Sequence, residues 1–319
     1  MNILVMVFAC LFSAVVIAET NSVSEEIEAE YSPQKMTTVD KTQYMVSENI
    51  DGFAQWIDSF FDDGRIIEED ASTRLRVSQG IFFEKGEQAR LKARINIKFD
   101  VPRFKHKLKL FVSDEDVNEE KTVATANKTF NEIDEDVQVG LQYFAKSSDK
   151  RNISLSTGIK LESLEVFAGP RYRRTFRLDG WQLRFTQRVR WYTSMGWEST
   201  TRFDLEKLLS KNVLFRNIIK GRWREEDEGY RYEFNPTLVQ ALKGDKGLEY
   251  QWGNFFRTRP VHRFEESVLR IRYRQRFWRK WLFYELAPQV AFRNDDDFEP
   301  TPGINLLLEV VFGGNGHYK

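Results

Sequence analysis

Apolar and polar residues alternate with a period of two along most of the chain after residue 72. In the stretch LRIRYRQRF, residues 269–277, arginine occupies every second position, and Leu269, Ile271, Tyr273 and Phe277 stand between the arginines. A helix repeats every 3.6 residues and would scatter both sets around its axis, whereas a strand places them on opposite faces. The pattern therefore predicts a strand with one cationic face and one apolar face.

The same alternation recurs in about fourteen segments, most of them 9 to 13 residues long. The predicted strands cover 74–83, 89–99, 107–112, 137–145, 153–161, 164–176, 181–192, 195–205, 212–224, 229–241, 247–258, 266–278, 281–293 and 303–312. Strands of this length can cross a bilayer at a tilt and are about twice as long as the ~5–6 residues usual in soluble proteins. The length therefore favours lipid, rather than a protein core, as the surroundings of the apolar face.

Connections and aromatic residues point the same way. If both chain ends lie on one side of the sheet, the longest gaps, 114–136 and 294–303, are odd-numbered connections on the opposite side, while even-numbered connections such as 177–180 and 278–280 are brief. Seven tryptophans stand mostly near predicted strand ends: Trp181, Trp191, Trp197, Trp223, Trp252, Trp278 and Trp281. Short turns on one side, long loops on the other and aromatic girdles at the strand ends are typical of strands that span a membrane.

The amino-terminal residues predict export. Residues 3–18 form an uncharged apolar run that ends in Val16-Ile17-Ala18, which predicts a signal peptide over 1–18. A short membrane anchor is the alternative interpretation of this run. Cys10, the only cysteine, lies inside it, so the mature chain is expected to use neither disulfides nor thiol chemistry.

The last predicted strand, INLLLEVVF, has Ile304, Leu306, Leu308, Val310 and Phe312 on one face. With the export signal and the repeated amphipathic strands, residues 72–312 resemble the outer-membrane β-barrel proteins of Gram-negative bacteria, although GGNGHYK follows Phe312 where that class commonly ends. The resemblance implies an all-β fold, a closed antiparallel transmembrane β-barrel of about 14 strands (12–14) in the cell outer membrane. It also implies contact with outer-membrane lipids and lipopolysaccharide, and with the barrel-assembly machinery during biogenesis.

Charge divides the chain into two parts. Residues 19–70 carry 14 acids and 3 bases, whereas 71–319 carry 45 bases and 34 acids. Residues 19–47 are polar, acidic and aperiodic, which predicts a flexible tether. Residues 48–64 have apolar side chains at helical spacing and predict a short amphipathic α-helix before the barrel. A tail over 313–319 completes the predicted organisation.

The predicted helix is too short to span a membrane, and its apolar face requires a surface on which to dock. We expect it to plug the periplasmic mouth of the barrel, with Phe53, Trp56, Ile57 and Phe60 against the wall and its acids beside inward arginines. The alternatives are adsorption on the inner leaflet and binding of a periplasmic partner through residues 48–63.

The charged faces of the strands are expected to line the lumen, because an arginine facing lipid at mid-bilayer costs roughly 2–4 kcal/mol. The lumen-lining candidates are Arg90, Arg94, Arg184, Arg188, Arg190, Glu198, Glu233, Glu249, Arg270, Arg272, Arg274, Arg276, Glu285 and Glu309, with Asp204 as a further acidic partner. Two interpretations remain open. The charges form a lattice that holds the wall together, or they form an anion-attracting pore lining or ligand site.

The sequence carries little sign of catalysis. No two of the three histidines have the spacing of a metal site, and we expect no metal and no cofactor. Only His262, with Glu265 and Glu266 nearby, is a candidate general base, and no motif ties a nucleophile to it. Nucleic acid is not an expected partner, because an export signal precedes the arginine-rich strands.

The leading hypothesis is therefore an outer-membrane β-barrel that acts as a pore, a small-solute transporter or a structural component of the envelope. An outer-membrane enzyme acting on envelope lipid or surface polymer is the first alternative. A soluble periplasmic β-protein is the second.

Overall fold

A computed structural model of the protein describes residues 53, 56, 60, 61, 74–100, 108–113, 138–148, 150–226, 229–279 and 281–313. Several predictions fall outside these residues: the signal peptide, the tether, most of the helix including Ile57, and the tail after 313. Phe53, Trp56, Phe60 and Phe61 are helical. Among the helical residues described, none belongs to a helix that is long and apolar enough to cross a membrane.

Fourteen strands make up the described fold. They are β1 Arg74–Glu84, β2 Arg90–Asp100, β3 Leu108–Ser113, β4 Gln138–Ser147, β5 Arg151–Lys160, β6 Val166–Leu178, β7 Trp181–Tyr192, β8 Gly196–Ser210, β9 Val213–Arg224, β10 Gly229–Leu242, β11 Lys246–Arg257, β12 Arg263–Arg276, β13 Leu282–Arg293 and β14 Pro300–Gly313. The predicted all-β fold of fourteen strands is confirmed. The largest error is at β8, which was predicted to end at 205. The ladder to β9 continues past a bulge between Leu208 and Ser210, where the alternation in the sequence is lost.

Each strand pairs antiparallel with its neighbours in sequence, and β1 also pairs with β14. The β1–β14 ladder is continuous from Arg74 opposite Gly313 to Glu84 opposite Gly303. The order of strands therefore returns to its beginning, and the backbone polar groups of the first and last strands have partners. Such pairing is what a sheet requires where no water is present to satisfy its edges.

The strand ends define two rims. The terminal rim carries the first residue of β1, the last of β14 and the connections 148–150, 179–180, 211–212, 243–245 and 277–281. Gly180 and Gly244 adopt positive φ angles of 66° and 79° in two of these turns, a conformation that glycine reaches without a steric penalty. The distal rim carries the connections 258–262 and 294–299 among others, and residues 114–137 lie outside the described part of the chain.

The two faces of the sheet have opposite chemistry. In β12, Leu269 and Ile271 are 50% and 44% exposed, whereas Arg270 and Arg272 are 5% and 8% exposed. The apolar set of the arginine-rich strand therefore faces outward, and the arginines face the interior. Buried and more exposed residues also alternate in β5 and β7, where the buried set is mostly polar, and in β13, where Glu285 and Gln289 alternate with Phe283, Ala287 and Ala291 on the inward face. Among the described residues, the apolar packing inside the barrel forms small clusters, and the largest of these lies near the terminal rim.

Candidate functional site in the barrel interior

The interior wall carries more buried bases than buried acids. Fourteen described bases are buried: Arg76, Lys109, Lys160, Arg171, Arg173, Arg184, Arg188, Arg190, Arg202, Arg216, Lys220, Arg270, Arg272 and Arg274. Eight described acids are buried: Glu84, Glu165, Glu198, Asp204, Glu206, Glu249, Glu285 and Glu309. Since alternate residues of each strand share one face, these charges meet in the interior although they are distant in sequence.

Near the terminal rim, Arg272 holds two carboxylates from neighbouring strands. Its Nη1 lies 2.6 Å from Glu249 Oε2, and its Nε and Nη2 donate to the two carboxylate oxygens of Glu285 at 3.0 and 2.9 Å. The fork of the guanidinium matches the two oxygens of a carboxylate, which makes the Arg272–Glu285 contact bidentate. This pairing is what permits three charged groups to be buried together.

Arg274 extends the same network toward β14 and β1. Its Nη1 lies 3.4 Å from Glu285, its Nη2 contacts Glu309, and Glu309 lies 3.6 Å from Arg76 Nε. Together, Glu249, Glu285, Glu309, Arg272, Arg274 and Arg76 form what we call the rim network. Because the network connects β1, β11, β12, β13 and β14, it crosses the junction between the first and last strands.

A second set of ion pairs lies on β7, β8 and β9. Arg216 Nε is 2.5 Å from Glu206, and Arg202 donates from Nε and Nη2 to Asp204 at 2.9 and 2.7 Å. Glu198 accepts hydrogen bonds from two arginines, from Arg188 at 3.1 Å and from Arg224 at 2.8 Å. One acid thus serves two cations, in keeping with the excess of bases on the wall.

The remaining candidates are placed as follows. Arg270 donates to Gln289 Oε1 at 3.1 Å, and Arg190 donates to Tyr192 Oη at 3.3 Å and lies over the Phe167 ring. Arg276 contacts Asp245 at 3.2 Å, Glu233 lies 3.6 Å from Lys220 Nζ, and Arg90 contacts Glu87 at 2.5 Å. Arg184 is buried, and its Nε and Nη1 have no hydrogen-bond partner among the described residues. The side chain of Arg94 lies outside the described part.

Four helical residues occupy the interior near the terminal rim, and we call Phe53, Trp56, Phe60 and Phe61 the aromatic anchor. Phe60 and Phe61 are 3% and 1% exposed, and Trp56 stacks on Phe60 with 4.8 Å between ring centroids. Phe60 meets the ring of Phe283 edge-on at 5.8 Å.

The aromatic anchor packs against apolar residues of the interior wall. Phe60 and Phe61 pack in a buried cluster with Leu214, Val239, Phe283 and Val311, from four different strands. Each of these wall residues lies within a few positions of a strand end at the terminal rim. The aromatic anchor therefore sits in the mouth at this rim.

Two further features hold the aromatic anchor. Arg272 of the rim network donates from Nη2 to the carbonyl oxygen of Phe61 at 3.3 Å, and its guanidinium lies 5.4 Å from the Phe61 ring centroid. Gly247 leaves the space that the rings occupy. A Cβ there would lie 2.6 Å from Phe61 Cζ and 3.0 Å from Phe60 Cε1. The docking surface thus combines a charged hydrogen-bond donor with a glycine that permits close approach.

Sequence reasoning missed several of these residues. Phe61 lay within the predicted helical pattern but was not among the plug residues, and nothing in the sequence pairs Phe283 with it. Gly247 carried the one available signal, because glycine inside a predicted strand often marks close approach of another group. The pairing of Arg293 with Glu84, at 2.7 and 2.8 Å, joins β13 to β1 and was also not predicted.

At the distal rim, Glu165 ties two connections together. Its carboxylate accepts hydrogen bonds from the Ser194 hydroxyl and from the Met195 backbone at 3.3 Å, and it lies 3.0 Å from Lys160 Nζ. Burial raises the pKa of Glu165, but the hydrogen bonds from Ser194 and Lys160 and the charge of Lys160 outweigh it, so the pKa is lowered. Glu165 is therefore held as the carboxylate.

The candidate general base His262 is exposed in the connection between β11 and β12. Its neighbours in sequence are engaged by arginines: Glu265 contacts Arg257, and Glu266 lies 3.0 Å from Arg293 Nε. Among the described side chains, no group of three histidine, cysteine, aspartate or glutamate residues is placed to hold a metal ion.

Comparisons with known proteins give structural neighbours only. No protein family and no curated protein matches the sequence. Among solved structures, the chain is similar to a loop L8 deletion mutant of OmpT, an outer membrane protein of Vibrio cholerae, at 8% identity over 76% of this chain and 100% of that chain, with a TM-score of 0.49. It is also similar to an anion-selective porin from Comamonas acidovorans, at 6% identity over 76% and 99%, with a TM-score of 0.48. The KdgM porin in complex with disordered oligogalacturonate matches at 6% identity over 74% and 99%, with a TM-score of 0.36. The likeness is one of fold, that of outer-membrane β-barrel proteins, the class that the sequence resembles.

Proposed function

We propose that the protein is an outer-membrane β-barrel whose arginine-rich lumen admits small anions, and whose terminal rim lies in the periplasm with the aromatic anchor seated in it. The observation that carries this proposal is the combination of an apolar exterior with a buried interior wall rich in arginine. The anchor makes the full chain a restricted pore rather than an open one.

The exterior supports a place in lipid. Large apolar side chains are exposed on strand after strand: Leu91, Ile95, Leu155, Ile219, Leu269, Ile271 and Leu308 are examples. In water, exposed apolar surface on this scale would promote association, whereas in hydrocarbon it carries no penalty. Aromatic side chains lie toward both rims, Trp197 and Tyr230 near the distal rim and Trp281 and Phe312 near the terminal rim. The apolar band between them is what a bilayer requires.

The interior supports a preference for anions. The excess of buried bases over buried acids gives the described wall a net positive charge. A low-dielectric wall of one sign concentrates ions of the opposite sign in the space it encloses. Cations would meet an unfavourable potential in the same lumen. Selectivity therefore follows from the sign of the charge on the wall rather than from the width of the lumen.

The terminal rim supports restriction of the pore. The aromatic anchor packs against four strands and accepts a hydrogen bond from Arg272, a member of the rim network. The contact combines apolar packing with a hydrogen bond from a charged guanidinium. It therefore holds the anchor more firmly than a solvent-exposed salt bridge would. The barrel can conduct freely only when this contact opens.

Ion selectivity tests the proposal. The purified protein is inserted into a planar bilayer with a tenfold KCl gradient, and the reversal potential is measured. We expect the reversal potential to shift from zero toward the equilibrium potential of chloride. The shift should become smaller as the ionic strength rises, because salt screens the charges of the wall. A cation-selective or unselective current would refute an arginine-lined anion path. Heat-modifiable gel migration provides the check that the barrel is folded.

A purely structural role in the envelope is the second candidate, and the rim network is the observation in its favour. If the charges serve only to hold strands together, the folded protein would insert into bilayers without any current, even after the anchor is removed. The enzymatic alternative rests on His262 alone. Turnover of envelope lipid by the purified protein that disappears in His262→Ala would support it, and equal turnover in both proteins would remove it.

A further inference from the structure

A row of arginines, interrupted only by Thr200 on β8, crosses the interior wall between β6 and β12. Direct cross-strand pairs join Arg171 to Arg188, Arg222 to Arg231, Arg231 to Arg257 and Arg257 to Arg263, and Thr200 stands between Arg188 and Arg222. We call these six residues, Arg171, Arg188, Arg222, Arg231, Arg257 and Arg263, the arginine row. The bulge between Phe255 and Phe256 completes it, because it brings Arg257 opposite Arg263.

The arginine row rises from the middle of the barrel to the distal rim. Arg171 lies midway along β6, whereas Arg257 ends β11 and Arg263 begins β12. Side-chain exposure increases along the same path, from 6% at Arg188 to 28% at Arg257 and 35% at Arg263. Neighbouring strands are about 4.8 Å apart, so the row extends over roughly 29 Å of wall. It forms a track with an accessible end at the distal rim and a buried end inside.

The arginine row sets like charges next to each other on neighbouring strands. Like charges directly opposite each other on neighbouring strands repel, and the row contains four such pairs, three of them in succession from Arg222 to Arg263. Acids also contact the row, and the pairs include Glu198 with Arg188, Glu265 with Arg257 and the exposed Asp295 with Arg263. A wall built only for strength would alternate the two signs along the row, as the rim network does with Glu285 and Glu309 between arginines.

We propose that the arginine row is a binding track for a linear polyanion, a chain that carries a phosphate or carboxylate group on each repeating unit. A chain with charges a few ångströms apart can contact successive arginines at once, whereas a single small anion can contact only one pair. Planar guanidinium groups bind both phosphate and carboxylate oxygens in bidentate fashion. The inference rests on the proposed function and deepens it, since it names the class of anion that enters from the distal rim.

Binding can be measured without any current, so the two proposals fail separately. The folded protein in detergent micelles is titrated by calorimetry with a short linear polyphosphate and with an oligoglucuronate, and orthophosphate serves as the single-anion probe. We expect one or both oligomers to bind more tightly than orthophosphate and to lose affinity as salt increases. The oligomer that binds identifies phosphate or carboxylate as the preferred group. Equal affinity for orthophosphate, or binding of neither oligomer, would overturn the track.

Matched double variants separate the arginine row from general positive charge. Arg222→Gln with Arg231→Gln should weaken oligomer binding about tenfold, because two charged contacts are lost. Arg177→Gln with Arg279→Gln removes the same charge from exposed positions at the terminal rim and should leave the affinity unchanged. An equal loss in both double variants would contradict the inference. Heat-modifiable migration confirms that each variant is folded, and oligomer binding by a protein without current would refute only the pore.

Discussion

Substitution of Gly247 by alanine should loosen the aromatic anchor while leaving the barrel intact. The added Cβ would lie 2.6 and 2.7 Å from two atoms of the Phe61 ring and 3.0 Å from Phe60, all closer than ordinary van der Waals contact. The backbone of Gly247 is fixed by pairing of β11 with both neighbouring strands. The rings of the anchor are therefore the groups that must move.

The size of the effect follows from known costs of overpacking. Extra methylene groups in a packed site cost about 1–3 kcal/mol. Applied to the equilibrium between a seated and a released anchor, this cost changes the ratio of the two states by roughly five- to 150-fold. Displacement of the rings would also weaken the hydrogen bond from Arg272 to the Phe61 carbonyl oxygen, which further favours release of the anchor.

Single-channel recording measures this ratio as the fraction of time spent in a high-conductance state. We expect Gly247→Ala to increase that fraction by at least several-fold relative to the wild type. Gly221→Ala is the matched control, because its Cβ would meet only Tyr232 at the ordinary distances of 3.5 and 3.6 Å. If Gly247→Ala folds normally and conducts like Gly221→Ala and the wild type, the reasoning about the anchor is refuted.

Three further predictions concern the wall and the distal rim. Ile271→Arg places a cation against hydrocarbon at a cost of roughly 2–4 kcal/mol and should reduce the yield of assembled barrel. Arg272→Gln should assemble but alter conductance. Normal assembly of Ile271→Arg in outer-membrane fractions would mean that Ile271 faces the interior rather than lipid. Glu285→Gln removes a counter-charge from Arg272 and Arg274 and should lower the free energy of unfolding by about 3–5 kcal/mol. The loss should appear as a lower temperature of heat-modifiable unfolding, and an unchanged temperature would show that the rim network adds no stability. Because the pKa of Glu165 is lowered in the folded state, its charge contributes stability above the ordinary glutamate value of 4.5, and that contribution is lost as pH falls through the folded pKa. Glu165→Gln should therefore destabilise the protein at neutral pH, with a difference that shrinks below about pH 4.5 in thermal unfolding, and a difference that is constant with pH would contradict this assignment.

The strands could be predicted from the sequence because each of their faces meets a different environment. In β12 every inward position from 270 to 276 is arginine and the positions between are largely apolar, so the period of two is visible without any structure. The prediction failed locally where that contrast fades. At the end of β8, Lys207-Leu208-Leu209 breaks the alternation, and only the hydrogen-bonded ladder to β9 shows that the strand continues.

The partners of each charge could not be predicted in the same way. Inward-facing acids such as Glu249 and Glu309 are recognisable from alternation, but their choice of arginine depends on the register between strands, which hydrogen bonding sets in three dimensions. The arginine row is an extreme case, since its members come from six strands and are brought into line by register alone. Docking of Phe61 on Gly247 joins residues far apart in sequence, and no pattern within the helix identifies the receiving wall.

Deletion of the amino-terminal segment tests whether the barrel is an anion-preferring pore that this segment restricts. Planar-bilayer conductance of the full chain is compared with that of a variant lacking residues 21–66, which removes the whole aromatic anchor. We expect larger currents in the shortened protein, with a preference for anions that weakens at high salt. Identical conductance in the two proteins, with both shown to be folded by heat-modifiable migration, would contradict this expectation.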